Sequence, residues 1–386
     1  MKVLRLIVTP LNHFRNHTLD IDFTASQPFD PNFPEERLTR INHYVYALNT
    51  VAFIGINASG KTTRLNMIKS CFDLFLNGGS LNASSQFLSH FDDKVTCTIY
   101  LAHENSIYRA QVRINKTDKD CYITEEHISK RRLNVKVKRR NVFQPELYKD
   151  VYKVKYDHFH QKYSVFPTLC LDISKPVLLE YDASLSDKKL IDFLSETSNQ
   201  QFLEHLDNSI EYYSVDTSYN EHPTITLKYK NRRQPLYLSE DNLHQYISLG
   251  TRKVLTLLYY VIQILKSGGY LIVDEIGDHL DQRIILDMLD FFLTQSNRTG
   301  ASLLFSTHYI ELLDLITRKD SIYITRNQYS IDVQRYTSLL SDDEAESMEL
   351  SDVFISGYIE TSPRYVDHLA IRKNVEMLVK EESIKL

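Results

Sequence analysis

Glycine is scarce in this chain: 10 residues in 386, about 2.6% against the roughly 7% of average proteins. Glycine serves where a backbone takes positive φ or passes close to a ligand. The few positions that keep it are therefore informative, and none lies between Ser80 and Leu249. Cysteine is limited to Cys71, Cys97, Cys121 and Cys170, with no C-x-x-C pairing. That spacing argues against a disulfide framework and fits reduced thiols, so a cytoplasmic location is expected. No run of about 18 apolar residues occurs, so neither a membrane span nor a membrane partner is expected. The opening MKVLRLIVTPLNHF lacks the long apolar core of a signal peptide. A net charge of −5 excludes a generally basic nucleic-acid binder but leaves room for a local basic patch. Internal repeats and low-complexity tracts are also lacking.

What is present is an ordinary globular composition, 42% apolar and 25% charged. The length suits two or three domain-sized units, or one large α/β unit with an insertion. Val3–Val8 and Thr18–Phe23 alternate as paired strands, and residues 25–44, with three of the ten prolines, read as a loop or insertion. Val51–Ile54 is a short apolar run ending at a glycine, and residues 63–76 space their apolar side chains as a helix closed by Asn77-Gly78-Gly79. Between 94 and 140 the segments VTCTIYLAH, SIYRAQVRI, CYITEEHI and LNVKVKRR alternate as antiparallel strands. Residues 184–213 read as helical and 224–238 as a hairpin turning at KNRRQP. After Gly250 come a helix over 251–266, the strand YLIVDE, a helix over 281–295, the strand ASLLFSTH, a short helix ELLDLITR and the strand SIYITR. Continuous apolar strands of this kind belong in buried parallel sheets. The expected fold class is α/β: a mostly parallel core sheet plus an antiparallel β lobe. The expected division is 1–79 and 240–386 as two parts of one head, with 80–239 as the antiparallel lobe and an inserted mixed α+β arm or lid.

Four segments carry chemistry. G-I-N-A-S-G-K-T at 55–62 fits G-x-x-x-x-G-K-[ST], with a strand before it and a helix after it. In such a loop Gly55 and Gly60 let backbone N–H groups of Asn57, Ala58, Ser59 and Thr63 wrap phosphates, Lys61 reaches the β- and γ-phosphates, and the Thr62 hydroxyl ligates Mg²⁺. In YLIVDE a carboxylate at the end of a core strand, Asp274, is placed to hold the Mg²⁺ shell, and Glu275 to polarise an attacking water. Strand ASLLFSTH ends in His308, where a γ-phosphate sensor is needed. YISLGTRK at 246–253 puts Ser248, Gly250 and Thr251 at the start of a helix, an anion-binding position.

The order G-x-N-x-S-G-K-T, S-L-G-T, hhhhDE, D-x-L-D and S-T-H resembles an ABC-type ATPase head. Asn57 fits the SMC-like subset, Asp278-His279-Leu280-Asp281 resembles a D-loop, and N-H-F-R-N-H at 12–17 resembles the N-F-R segment of recombination and SMC-like heads. The variants S-L-G-T and D-E-I-G-D-H-L-D, with a looser likeness at 356–363, resemble the prokaryotic AAA-type family near the OLD nucleases, which includes ATPase subunits of abortive-infection and other anti-phage systems. The motif-bearing match covers roughly 1–70 and 240–365. The resemblance implies ATP and Mg²⁺ as ligands and a homodimer closed around two nucleotides, with Lys61 and Thr62 of one copy and Ser248 and Gly250 of the other gripping the same ATP. Lys61, Glu275 and His308 would be catalytic, and Asp281 would lie near the nucleotide. It further implies a sensor or scaffold role beside a separate nuclease or toxin effector, since no room is left here for the nuclease domain of OLD proteins. A DNA-repair head binding DNA directly and an assembly platform with little hydrolysis are the alternatives. Ser-Leu-Gly-Thr in place of a transporter's Ser-Gly-Gly-Gln argues against transport, and Gln144 is the best Q-loop candidate.

Residues 130–140 (KRRLNVKVKRR) hold seven basic residues in eleven. As a strand they would align Lys136 with Lys138 on one face. Arg131, Lys136, Lys138 and Arg140 are therefore candidates for a DNA or RNA backbone, against the simpler reading of a solvated face or a surface for an acidic partner. The acidic run Asp342, Asp343, Glu344, Glu346 and Glu349 reads as a solvated loop. His158-x-His160 has metal-ligand types but no companions placed by sequence.

Overall fold

The computed structural model describes residues 1–28, 38–56, 59–81, 89–117, 120–157, 161–171, 175–216, 224–277, 280–309, 312, 316, 318–327, 330–339, 351–352 and 373. Two six-stranded sheets dominate. In the first, β5 (Thr50–Ile54), β10 (Val177–Glu180), β14 (Gly269–Val273), β15 (Ser302–Thr307) and β16 (Ile322–Asn327) run parallel in the order β10-β14-β15-β5-β16, and β17 (Ile331–Arg335) closes the edge antiparallel. The second is wholly antiparallel: β2 (Leu19–Asp22), β1 (Lys2–Thr9), β6 (Lys94–His103), β7 (Ser106–Lys116), β8 (Cys121–Arg132) and β9 (Lys149–Lys155). A mostly parallel core sheet beside an antiparallel one is the α/β architecture that the patterning implies. Of the strands in 1–79, β1 and β2 enter the antiparallel sheet and β5 the parallel one, and β10 joins the parallel one from within 80–239.

The central parallel strands are buried on both faces, which is why they read as unbroken apolar runs. Val51, Phe53, Tyr270, Ile272, Leu304 and Tyr323 face the antiparallel sheet and helix α1 (Lys61–Phe72), sharing a core with Leu65, Ile68 and Phe72. Their neighbours Ala52, Ile54, Leu271, Val273, Leu303 and Phe305 face the opposite way, onto α4 (Leu249–Ser267) and α5 (Gln282–Leu293). The sheets are also bolted by polar bonds. The Val3 N–H donates to Tyr270 Oη at 2.6 Å, Tyr323 Oη donates to the Asp22 carbonyl at 2.8 Å, and Lys2 Nζ donates to Asn49 Oδ1 and Ser302 Oγ at 3.1 and 2.6 Å.

The other face of α4 carries a smaller unit. Helices α2 (Asp187–Ser195) and α3 (Thr197–Leu206) pack with the sheet β11 (Ile210–Asp216), β12 (Thr224–Tyr229) and β13 (Leu236–Leu238) around Leu190, Leu203, Ile210 and Leu227, with Leu255 of α4 as the floor. A small pair, β3 (Leu38–Arg40) and β4 (Tyr46–Leu48), completes the strands.

Two expectations are corrected. Residues 210–213 are strand rather than the end of the 184–213 helical stretch. The run I-E-Y-Y-S-V is rich in β-branched and aromatic residues, and pairing with β12 outweighs its helical spacing. LNVKVKRR is no strand either. The Lys136 N–H donates to Asn134 Oδ1 and the Lys138 N–H to Asn141 Oδ1, both at 2.9 Å, and these side-chain turns end the ladder at Arg132. Val137, Val142 and Tyr148 then fold over Leu4, Tyr100 and Ile107, covering the outer face of the antiparallel sheet. Helix ELLDLITR lies mostly outside the described residues.

Candidate functional site

Because β14, β15 and β5 are adjacent and parallel, their carboxyl ends open along one edge, bringing together the loop after Ile54, the acids after Val273 and the histidine after Thr307. Register sets the detail. Val273 lies opposite Phe305 and Thr307 opposite Ile54, so β15 outruns β14 and Ser306 stands beside the departing chain. The Glu275 N–H donates to Ser306 Oγ at 2.8 Å and the Ile276 N–H to the Ser306 carbonyl at 3.0 Å. Ser306 Oγ in turn donates to one oxygen of Asp274, and the Thr62 hydroxyl at the head of α1 donates to the other at 2.5 Å. Asp274 thus joins two elements. Glu275 takes φ of +52°, a left-handed conformation that non-glycine residues rarely hold without surrounding support.

The phosphate-loop residues need their glycines. A Cβ on Gly55 would lie 2.2 Å from Thr325 Oγ1 and 2.4 Å from the Thr325 carbonyl oxygen. Gly60 heads α1 with φ of +88°. Thr325 also bonds Ser59 Oγ at 2.9 Å and donates to the Ile54 carbonyl at 2.9 Å. Lys61 is buried and its ammonium donates to the carbonyls of Gly55 and Ile56 at 2.8 and 3.0 Å. Burial pushes its pKa down, opposed by Glu275 and Asp274. Thr62 is exposed and Thr63 half-buried at the helix start. The first-turn N–H groups there lack helical partners and favour an anion. Asn57 and Ala58 lie outside the described residues.

The other candidates are not tied by bonds to this cluster within the chain. Ser248 caps α4, its Oγ accepting from the Thr251 N–H at 3.0 Å and bonding Thr251 Oγ1 at 2.8 Å. Leu249 beside it is 68% exposed, and Gly250 follows in the first turn. Asp281 caps α5 by accepting from the Arg283 N–H at 2.8 Å. Among the described residues no hydrogen bond or ion pair joins Ser248, Gly250, Thr251 or Asp281 to the phosphate loop. His308 stacks on Tyr309, centroids 4.5 Å apart, and its buried Nδ1 has no partner among the described residues. Tyr309 fits because Gly277 has no side chain; a Cβ there would come within 2.1 Å of the ring. A cleft of about 190 Å³ lined by Tyr181, Lys253, Leu257, Glu275 and Leu280 adjoins the acids.

Sequence reasoning missed Ser306, Thr325 and Arg64, the last a fully buried arginine on α1. Burial pushes the Arg64 pKa down to about 9. The basic segment is only partly available. Arg131 donates to the Asn141 carbonyl at 2.6 Å, Lys138 lies over the Tyr44 ring at 5.1 Å, and neighbouring Arg139 pairs with Asp22, while Lys136 and Arg140 are exposed. Lys136 and Lys138 share no strand face. Beside them the edge strand β9 exposes Lys149, Lys153 and Lys155. Gln144 heads a short turn at Pro145–Leu147 in the cover of the antiparallel sheet. His158, His160, Asp278, His279, the acidic run and 356–363 lie outside the described residues.

Among the described residues no helix is long and apolar enough to cross a membrane, all four cysteines are free thiols, and no three His, Cys, Asp or Glu side chains converge as a metal site. No protein-family model matches the chain, and no curated protein does. Among solved structures, the chain is similar to the SmcHead bound to the C-winged helix domain of ScpA, at 13% identity over 90% of this chain and 100% of that one, with a TM-score of 0.45. It is also similar to the ATP binding subunit of an ABC transporter, at 11% identity over 91% and 98%, with a TM-score of 0.34.

Proposed function

We propose that the chain is an ABC-type ATPase that binds ATP with Mg²⁺, pairs with a second copy around the nucleotide and hydrolyses it. The observation that carries this reading is the continuous linkage Thr62–Asp274–Ser306–Glu275, which sets a hydroxyl and the Asp274 carboxylate at the head of a glycine-opened helix and ties the Glu275 backbone beside them. The oxygens of Thr62 and Asp274 suit Mg²⁺, a hard cation that keeps several waters and phosphate oxygens in its shell. When bound, Mg²⁺ would neutralise charge developing on the transferred phosphoryl group. Lys61, freed from the Gly55 and Ile56 carbonyls, reaches the terminal phosphates. Glu275 orients the attacking water and takes its proton. His308 sits at the end of β15 as the phosphate sensor.

The exposed cap of α4, with Ser248, Leu249, Gly250 and Thr251, is the surface offered to the second copy. ATP would stabilise the closed pair because it binds that state in preference to the open one. The motif variants S-L-G-T and D-E-I-G-D-H-L-D favour a sensor or scaffold role in anti-phage defence beside a separate effector. Lys61→Ala tests both levels. ATP affinity measured by calorimetry should fall at least about 100-fold, roughly 2.7 kcal/mol, and protection against phage, scored by plating with the neighbouring genes present, should vanish. Unchanged affinity refutes the nucleotide site; lost affinity with intact protection refutes the defence role alone.

A further inference from the structure

Arg64 is unusual among the residues around the phosphate loop. It lies one turn into α1 and is fully buried. Its Nη2 donates to two backbone carbonyls, Ser59 at 3.2 Å and Asp332 at 3.1 Å. Nε and Nη1 have no partner among the described residues. The guanidinium is not there chiefly to pair a carboxylate, because the Asp332 side chain is already held by Arg15 at 3.0 Å and Arg326 at 2.8 Å. A buried charge with idle donors is destabilising, and an apolar side chain of similar volume would fill the site at less cost. What the arginine does and an apolar chain cannot is hold two backbone carbonyls at once, Asp332 on β17 and Ser59 in the phosphate loop.

That carbonyl matters because a peptide unit is planar and trans, so its C=O and its N–H point in opposite directions. Drawing the Ser59 oxygen inward turns the Gly60 N–H outward. The same unit is fixed from its other sides: Ser59 Oγ bonds Thr325 Oγ1, and the Gly60 α-carbon faces Ile331, whose side chain would lie 3.3 Å from a Cβ. Preorganised N–H donors lower the reorganisation needed to bind an anion. We infer that Arg64 is a positioning residue of the phosphate loop, clamping the Ser59–Gly60 peptide so that its N–H is presented to the phosphates of a nucleotide. The inference rests on the nucleotide site proposed above.

The scarcity of glycine makes the test direct. With [¹⁵N]glycine the chain gives a spectrum of only ten backbone amides, one of them Gly60. In the wild type, ATP should shift the Gly60 resonance strongly. In Arg64→Met the ATP dissociation constant should rise about tenfold or more and the Gly60 shift should collapse, while the melting temperature holds or rises. Arg64→Lys, which keeps a cationic donor, should recover most of both. A folded Arg64→Met variant with wild-type affinity and a wild-type Gly60 shift overturns the inference. If that variant does not fold, Arg64→Gln is judged by the same two readouts. Failure of the wild type itself to bind ATP sinks the nucleotide reading and this inference together, whereas binding unaffected by Arg64 substitution sinks this one alone.

Discussion

At the scale of single residues, Ser306 has the greatest leverage. One buried hydroxyl donates to Asp274 and accepts the Glu275 N–H, so it sets both the carboxylate expected near the metal and the backbone of the expected base. Ser306→Ala should lower kcat for ATP hydrolysis about 10- to 100-fold, the range for losing a partner that orients a metal ligand. ATP affinity should change less than about threefold, because neither partner is a principal phosphate ligand. Phosphate-release kinetics beside equilibrium binding separate the two, and a pure binding defect would contradict this role. Nothing local marks Ser306 in the sequence: its partners lie 31 and 32 positions away, joined only by the register of β14 and β15. Arg64 escaped for the opposite reason. An arginine on a helix ordinarily reads as solvated, and only the packing of α1 between two sheets buries it. The glycine–lysine turn at 55–62 was legible because its constraints are local: a strand, a left-handed glycine and a helix start within one short segment.

At the scale of elements, the two sheets meet through polar ties as well as apolar packing, and one tie is pH-dependent. Burial pushes the Lys2 pKa down to about 7 from 10.5. Between those values the unfolded chain binds a proton that the folded chain does not. Stability therefore rises with pH across the window, by up to about 1.4 kcal/mol per pH unit from this group. The penalty is fully present below pH 7 and relieved above it. Lys2→Met should raise the melting temperature most near pH 6 to 7, with the gain shrinking towards pH 10; a pH-independent difference would contradict the assignment. Legibility varied by element for physical reasons. Strands β5, β14 and β15 are buried on both faces, so each carries a central run of consecutive apolar residues, broken by polar ones only towards the strand ends, and is unambiguous. β11 is half-exposed, and its period is settled only by pairing with β12, which begins at Thr224 beyond the end of β11 at Asp216. In LNVKVKRR the apparent alternation reflects one valine turned into the core and another 73% exposed, a pattern that a turn satisfies as well as a strand.

At the scale of the whole molecule, the cap of α4 is exposed and, among the described residues, makes no bond to the phosphate loop, so the proposed grip is argued for two copies. Glu275→Gln, which keeps the shape but removes the base, should accumulate ATP-bound dimers that persist in size-exclusion chromatography with multi-angle scattering, whereas the wild type should return to monomer as ATP is consumed. A variant that stays monomeric with ATP and hydrolyses at the normal rate would refute both the pairing and the role of Glu275. The lysines of β9 bear on the same question. An unpaired sheet edge invites another strand, and exposed lysines along it discourage such pairing. With Lys149, Lys153 and Lys155 on that rim, addition of a further strand from another chain is disfavoured there, which leaves the cap of α4 as the surface proposed for pairing.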